Sequence, residues 1–317
     1  MSQEPSGAKV EHFDVVIVGG GPAALSAAIY SGRAELRTLL LERRFLGGQV
    51  AQTLAVENYP GFPEGIDGPE LINRMEAQAR RFGCQFRNEE VVDVTLDRDI
   101  KVVRTVQTLY RCSVLILASG AAPRKLQVPG EAELTGRGVS YCGTCDAPLF
   151  RGKTVMVVGG GDAALKEGLF ISRFASRVIV VHRRRELRAE RIYQTEAREN
   201  PKVAFELDSV VTRINGSQGV QSVEIRNVKT GQSKTVPTDG VFVFIGNVPN
   251  TAFLCNLWPD CGGHVETDQH MMTSIPGIFA IGDVRKGSYR QIATAVGEGA
   301  TAAIAAEHWI SELRPGD

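Results

Sequence analysis

The chain has 317 residues, with 36 Lys plus Arg against 36 Asp plus Glu, so its formal charge is zero. That balance argues against nucleic-acid or anionic-membrane binding, which usually needs a basic surplus. Apolar residues at 43% and charged residues at 23% exclude wholesale disorder, and the length suits two domains. Glycine is the outlier, 34 residues or about 11% against a usual ~7%.

The start, MSQEPSGAKVEHF, is polar, carries Glu4 and lacks an apolar stretch ending in a cleavage site, so it does not read as a signal peptide. Residues 15–32 are uncharged and long enough to raise the question of a membrane span. However, Gly19, Gly20, Gly21 and Pro22 near the middle suit a strand, a turn and a helix far better. Six cysteines are too few for a secreted disulfide scaffold. A cytoplasmic protein is expected, binding neither membrane nor nucleic acid.

Taken in chain order, VVIVGGGPAALSAAIY (15–30) is a β-branched strand, a glycine turn and a small-residue helix, and LRTLLLERR (36–44) holds the next strand. Gly19, Gly21 and Ala24 form a GxGxxA dinucleotide fingerprint. Gly19 permits the tight turn, Gly21 lets the backbone approach a pyrophosphate at the helix N-terminus, and Ala24 keeps the helix close to the strand. The second strand ends at Glu42, 21 residues beyond Gly21, where a carboxylate suits a ribose hydroxyl and repels a 2′-phosphate. This unit is expected to take FAD. LILASGAAP (115–123) is a buried strand ending in glycine and then proline, and the chain is expected to cross into another domain near 121–126.

Cys142-Gly-Thr-Cys145 follows. Such a pair is half a zinc site, a redox disulfide or chance. Zinc needs a second pair, but Cys255 and Cys261 are separated by five residues and no His pair has ligand spacing, so no metal site is expected. A redox disulfide suits the neighbourhood of dinucleotide folds best. Cys84, Cys112, Cys255 and Cys261 are expected to be buried small apolar residues.

Residues 155–170, VMVVGGGDAALKEGLF, then repeat 15–30 at an offset of 140, with eight of sixteen positions identical. SRVIVVHRR (176–184) repeats 36–44 at the same offset. The second fingerprint is Gly159, Gly161 and Ala164. Where the first copy has Glu42 the second has His182, followed by Arg183, Arg184, Arg185 and Arg188. Guanidiniums fork onto phosphate oxygens, so this cluster reads as a 2′-phosphate site and the second unit as an NADPH domain. The alternative is a solvated helix face paired with Glu186 and Glu190.

VFVFIGNVP (241–249) echoes 115–123 and marks a return crossing near 246–250. The remaining SIPGIFAIGDVRKGSYRQIATAVGEGATAA is a strand with Asp283 at its tip, suited to ribityl hydroxyls, and a small-residue helix whose N-terminal dipole can face a flavin. The expected fold is α/β with two Rossmann-like dinucleotide-binding domains. Residues 1–122 and 249–317 would form the FAD domain, with 1–12 a polar extension. Residues 123–248 would form the inserted NADPH domain carrying the CxxC.

From about residue 13 to its C-terminus the chain resembles the low-molecular-weight thioredoxin reductases. The motifs are GGGPAA at 19–24, GGQ at 47–49, ENYPG at 57–61, CGTCD at 142–146, GGGDAA at 159–164, HRRRELR at 182–188, GD at 282–283 and RQ at 290–291. Other flavin disulfide reductases carry the redox pair after the first fingerprint helix, where RRFLGGQV has no cysteine. The resemblance implies FAD contacts from Gly19, Gly21, Pro22, Ala23, Glu42, Arg43, Gly47, Gly48, Gln49, Asn58, Ser119, Gly120, Gly282, Asp283, Arg290, Gln291 and Ile292. It implies NADPH contacts from Gly159, Gly161, Asp162, Ala163, Ala164, His182, Arg183, Arg184 and Arg188. It also implies that Cys145 faces the flavin, that Cys142 attacks thioredoxin and that Asp146 handles the proton. A homodimer with one FAD per chain, and rotation of the inserted domain during turnover, follow from the same resemblance. Two departures stand out: Ala147, Pro148, Leu149 and Phe150 replace a common Gly and two aromatics, and Ser119 stands where Thr is commoner.

Overall fold

In the computed structural model, which describes residues 9–53, 56–258 and 262–313, the uncharged run after Asp14 forms the heart of β1 (Lys9–Val18). Val15, Val16 and Ile17 are all fully buried, as a strand covered on both faces requires. The glycines turn the chain into α1 (Pro22–Arg33), with Pro22 in the first turn, where a missing N–H costs nothing. β2 (Thr38–Glu42) follows, then α2 (Gly68–Arg81), capped by the Asp67 carboxylate accepting the Glu70 N–H at 3.2 Å. β3 (Gln85–Asn88), β4 (Val91–Asp97), β5 (Ile100–Thr105) and β6 (Thr108–Leu117) complete this stretch.

The chain continues through β7 (Ala121–Pro123), β8 (Val139–Ser140), the short α3 (Gly143–Asp146), β9 (Thr154–Val158), α4 (Asp162–Ile171), β10 (Arg177–Val181), α5 (Arg191–Glu199) and β11 (Val203–Glu206). Next come β12 (Ser209–Gly216), β13 (Val220–Asn227), β14 (Ser233–Pro237) and β15 (Gly240–Val243). β16 (Asn247–Pro249) leads back to β17 (Ile278–Ala280) and α6 (Ile292–Leu313).

The contacts divide the chain into two units, Met1–Ala122 with Val248–Asp317, and Pro123–Asn247. The second is therefore inserted in the sequence of the first. In the first unit the sheet order is β3-β2-β1-β6-β5-β4, with β17 also on β6. β3, β2, β1, β6 and β17 run parallel, while β4 and β5 add an antiparallel edge. In the second unit the order is β11-β10-β9-β15-β8, all parallel, beside an antiparallel β12-β13-β14 sheet. In both units the fingerprint strand has its βαβ partner on one side and the closing strand on the other. The order reverses there, so ligands belong at the carboxyl ends of those strands.

The sequence repeat is reproduced bond for bond. Gly19 N–H donates to Leu41 O at 2.8 Å, and Gly159 N–H to Val181 O at 3.0 Å. The weaker echo holds as well: Ala118 N–H donates to Val18 O and Phe244 N–H to Val158 O, both at 2.8 Å. The crossing strands β7 and β16 pair with each other. Beside them Ser119 Oγ donates to Asn250 O at 2.7 Å, and Asn250 Nδ2 to Ser119 O at 2.8 Å.

Cys84 and Cys112 are buried free thiols, as expected. Cys255 corrects the expectation: Leu254 takes the core position, leaving Cys255 exposed, and it is disulfide-bonded. Cys261 and residues 1–8 of the polar extension lie outside the described residues. No helix among the described residues is long and apolar enough to cross a membrane.

Candidate active site

The fingerprint glycines fall into two physical kinds. Gly19 (φ +112°) and Gly159 (φ +152°) are demanded by the fold, because a Cβ on them would stand 2.3 Å from Ala118 O and 2.4 Å from Phe244 O. Gly21 (φ −77°) and Gly161 (φ −98°) have ordinary extended backbone, and a Cβ there would meet nothing within 4 Å. Folding does not require glycine at either position. Each leaves open space at the start of α1 or α4, a cradle that a Cβ would fill, and that space fits a pyrophosphate taken up by helix N–H groups.

Around the first cradle the resemblance-derived residues converge. The Gly47 N–H donates to Gly20 O at 2.7 Å, and a Cβ on Gly48 would lie 3.8 Å from Gly21 Cα, so the GGQ loop stands over the fingerprint. Gln49 Nε2 donates to Ala121 O at 2.8 Å and reaches Asp283 Oδ2 at 3.5 Å. Asn58 Nδ2 donates to Gln291 Oε1 at 3.1 Å, one residue before Ile292 opens α6. Gly282 abuts Ala23, whose Cβ would lie 3.1 Å from a Cβ on Gly282. Burial raises the Asp283 carboxyl above its ordinary value, and the Arg290 charge opposes that shift. Glu42 accepts the Arg44 N–H at 3.0 Å, while Arg43 is drawn aside to Glu90 at 3.5 Å. Ser119 and Gly120 hold the crossing, since Gly120 O also accepts the Asn250 N–H.

Sequence reasoning missed Glu298, which is buried, accepts the Gly282 N–H at 2.7 Å and pairs with Arg285 at 2.6 Å. It fixes the turn that presents Asp283. Its signal was there: Glu298 is the lone acid in ATAVGEGATAA.

At the second cradle, residues 182–190 are irregular rather than helical, and Arg183, Arg184, Arg185 and Arg188 are exposed. Among the described residues no ion pair engages these four guanidiniums, so the reading of a helix face paired with Glu186 and Glu190 fails. Gly160 O accepts the N–H groups of Arg188 at 2.7 Å and Ala189 at 3.1 Å, tying the arginine segment to the fingerprint turn. Asp162 Oδ1 accepts the Glu190 N–H at 2.7 Å, closing the same segment. Within α4, Ala164 is fully buried and Ala163 is exposed. The His182 ring packs flat on Gly160, with Nε2 buried and unpartnered. Burial and then the charges of Arg188, Arg183 and Arg184 hold its pKa below the ordinary value, so the ring is neutral at pH 7.

Cys142 and Cys145 form a disulfide across α3. Cys142 Sγ accepts the Cys145 N–H at 3.2 Å, which makes the sulfur the cap of its own turn. Ser140 Oγ braces the turn, accepting the Cys142 N–H at 3.1 Å and donating to Cys142 O at 3.2 Å. Burial raises the pKa of Asp146, opposed by its bond to the Ser140 hydroxyl. Tyr141 donates to the buried Glu131 at 2.9 Å, and Glu131 also accepts the N–H groups of Leu126 and Gln127. Nothing in the local sequence marks Glu131.

Two dinucleotide cradles and a disulfide turn in one chain narrow the comparison with known proteins. The family model for pyridine nucleotide-disulphide oxidoreductases matches residues 13–299. The chain belongs to that family. Within it, the chain is 45% identical over 304 residues to a thioredoxin reductase of Bacillus subtilis, covering 95% of this chain and 96% of that protein. A bifunctional thioredoxin reductase/thioredoxin of Mycobacterium leprae is 44% identical over 98% of this chain and 69% of its own length. The crystal structure of thioredoxin reductase from Streptococcus pyogenes matches with a TM-score of 0.89 at 44% identity, over 95% of this chain and 99% of that one. Like them, this family member is an oxidoreductase built on two Rossmann-like folds.

Proposed function

We propose that the protein is an NADPH-dependent thioredoxin reductase, with FAD in the first cradle, NADPH in the second and Cys142–Cys145 as the redox centre. The observation that carries this reading is the disulfide turn itself, in the same unit as a cradle fronted by unpaired guanidiniums. When bound, the nicotinamide and flavin supply, as a hydride equivalent, the two electrons that open the disulfide.

The chain's own residues do the rest. Gly21 and Gly161 admit phosphates to helix N-termini, and Glu42 accepts from ribose hydroxyls. Gln49, Asn58, Asp283, Arg290 and Gln291 hold the remainder of FAD. Neutral His182 leaves the 2′-phosphate to Arg183, Arg184 and Arg188. Asp146, which keeps its proton more readily than an ordinary Asp, gives it to the Cys142 sulfur that leaves as the disulfide opens and takes it back as Cys142 turns to attack. The Cys142 thiolate then attacks one sulfur of the thioredoxin disulfide, forming a mixed disulfide and releasing one thioredoxin thiolate. The Cys145 sulfur displaces the other and re-forms the Cys142–Cys145 bond, so two electrons and two protons reach thioredoxin. A cytoplasmic homodimer with one FAD per chain completes the reading, supported by the family resemblance.

The test is a flavin spectrum of the purified protein, with an assay of NADPH-dependent thioredoxin reduction. Cys142→Ser is expected to keep flavin bleaching by NADPH and to abolish thioredoxin turnover. A protein that takes up no FAD, or a variant with normal turnover, refutes the proposal.

A further inference from the structure

Glu167 comes from α4, 25 residues along the chain from Cys142, yet its carboxylate lies against the redox turn. A Cβ on Gly143 would stand 2.2 Å from Glu167 Oε2, so the carboxylate occupies the space a side chain at residue 143 would need. Thr144 Oγ1 is 3.4 Å from both carboxylate oxygens, and the Thr144 amide faces them too. Burial raises the Glu167 carboxyl above its ordinary value, and its contacts with Thr144, which favour the ionised form, oppose that shift. The turn is thus held at two points: Cys142 Sγ accepts the Cys145 N–H, and the Glu167 carboxylate accepts the Thr144 hydroxyl. The other ionisable groups bonded to the turn are Asp146, within it, and Tyr141, which leads to Glu131; β8 brings only the neutral Ser140 hydroxyl.

We propose that Glu167 is a positioning residue of the redox pair, holding the turn through Thr144 while its negative charge disfavours the thiolate at Cys142. This rests on the reading of Cys142 as the thiol that exchanges with thioredoxin. A dithiol whose thiolate is not stabilised is the stronger reductant, because stabilising the reduced form makes a disulfide more oxidising. The partner disulfide belongs to a strongly reducing couple, so a reductase gains from a charge that withholds this stabilisation. The exchange stays balanced: the Cys142–Cys145 dithiol gives two electrons and two protons to one partner disulfide and becomes a disulfide.

The experiment uses the holoprotein reduced with dithiothreitol, with iodoacetamide alkylation followed from pH 5 to 10 and the modified cysteine mapped by mass spectrometry. Glu167→Gln keeps an acceptor oxygen for Thr144 and removes the charge. Its pH midpoint for Cys142 alkylation is expected to fall by about one unit. Its dithiol–disulfide equilibrium against a glutathione buffer is expected to shift toward dithiol by up to about tenfold, or about 30 mV. An unchanged or raised midpoint in Glu167→Gln overturns the proposal, even if Glu167→Ala moves it, because only capping would then be involved. If the wild-type protein is not alkylated first at Cys142, the exchange-thiol reading fails and this inference falls with it.

Discussion

Gly161→Ala separates a glycine kept for a ligand from one kept for the fold. At this position φ is −98° and an added Cβ meets nothing within 4 Å, so the chain itself has no objection. Alanine at a helix N-cap is worse than glycine by a few tenths to about 1 kcal/mol. Its smaller unfolded-state entropy returns about 0.4–1 kcal/mol, so the net change in stability is expected within about 1 kcal/mol of zero. Binding behaves otherwise. The methyl group stands where a phosphate approaches the α4 amides, and losing one charge-assisted bond of about 1.5–3 kcal/mol weakens NADPH roughly 10- to 150-fold. Gly160→Ala is the contrast, since its Cβ would lie 2.4–2.5 Å from three atoms of the His182 ring. Carbon contacts prefer about 3.5–4.0 Å, so the ring must shift by about 1 Å, and overpacking costs about 1–3 kcal/mol. Urea melts of the NADPH-free protein, with NADPH titrations followed by flavin bleaching, measure both. A Gly161→Ala protein that binds NADPH normally, or that loses several kcal/mol of stability without ligand, refutes the assignment of the open cradle.

Three further outcomes are expected. Replacing Arg183 and Arg184 with Gln is expected to raise the KM for NADPH tenfold or more per residue while leaving NADH use nearly unchanged; equal losses with both nucleotides would make the cluster structural. Burial pushes the Cys84 and Cys112 thiols up to about 12, so Ellman's reagent at pH 8 is expected to leave both unmodified in the native protein and to react with both in guanidinium, as peptide mapping would show. The Arg87 guanidinium, bonded to both Glu11 oxygens at 2.7 Å, with Lys9 beside it, lowers the Glu11 carboxyl from 4.5 to about 2. A depressed folded-state pKa gives stability that is present above about 4.5 and is lost as pH falls toward about 2. Solvent reaches this pair, so the contribution is discounted to about 1 kcal/mol, and the gap in urea midpoint between wild type and Glu11→Gln should close between pH 5 and 2. A gap constant over that range would exclude the pair as its source.

The parts of this protein legible in sequence are those written in consecutive residues. The GxGxxA turns, the strand–helix–strand copies offset by 140 residues and the CxxC turn each depend on local backbone geometry, so their residue types announce them. The change from Glu42 to His182 at equivalent strand ends was legible for the same reason. What tertiary structure decided concerns groups brought together from distant positions. Arg183, Arg184 and Arg188 are available because their segment, irregular between β10 and α5, bonds back to Gly160 and Asp162. His182, expected among the cofactor contacts, has its ring pressed onto Gly160, a placement no sequence spacing gives. Cys255 faces solvent because Leu254 took the core. Glu131 and Glu167 look like ordinary surface acids in a list of residues, while Glu298 stands out only as the lone acid of a small-residue run. Packing of helices and strands for unrelated apolar reasons draws Glu131 and Glu298 against backbone N–H groups and Glu167 against the Thr144 hydroxyl, and a buried donor left without an acceptor costs more than a desolvated carboxylate that satisfies it. Those pairings depend on three-dimensional packing, and no sequence spacing encodes them.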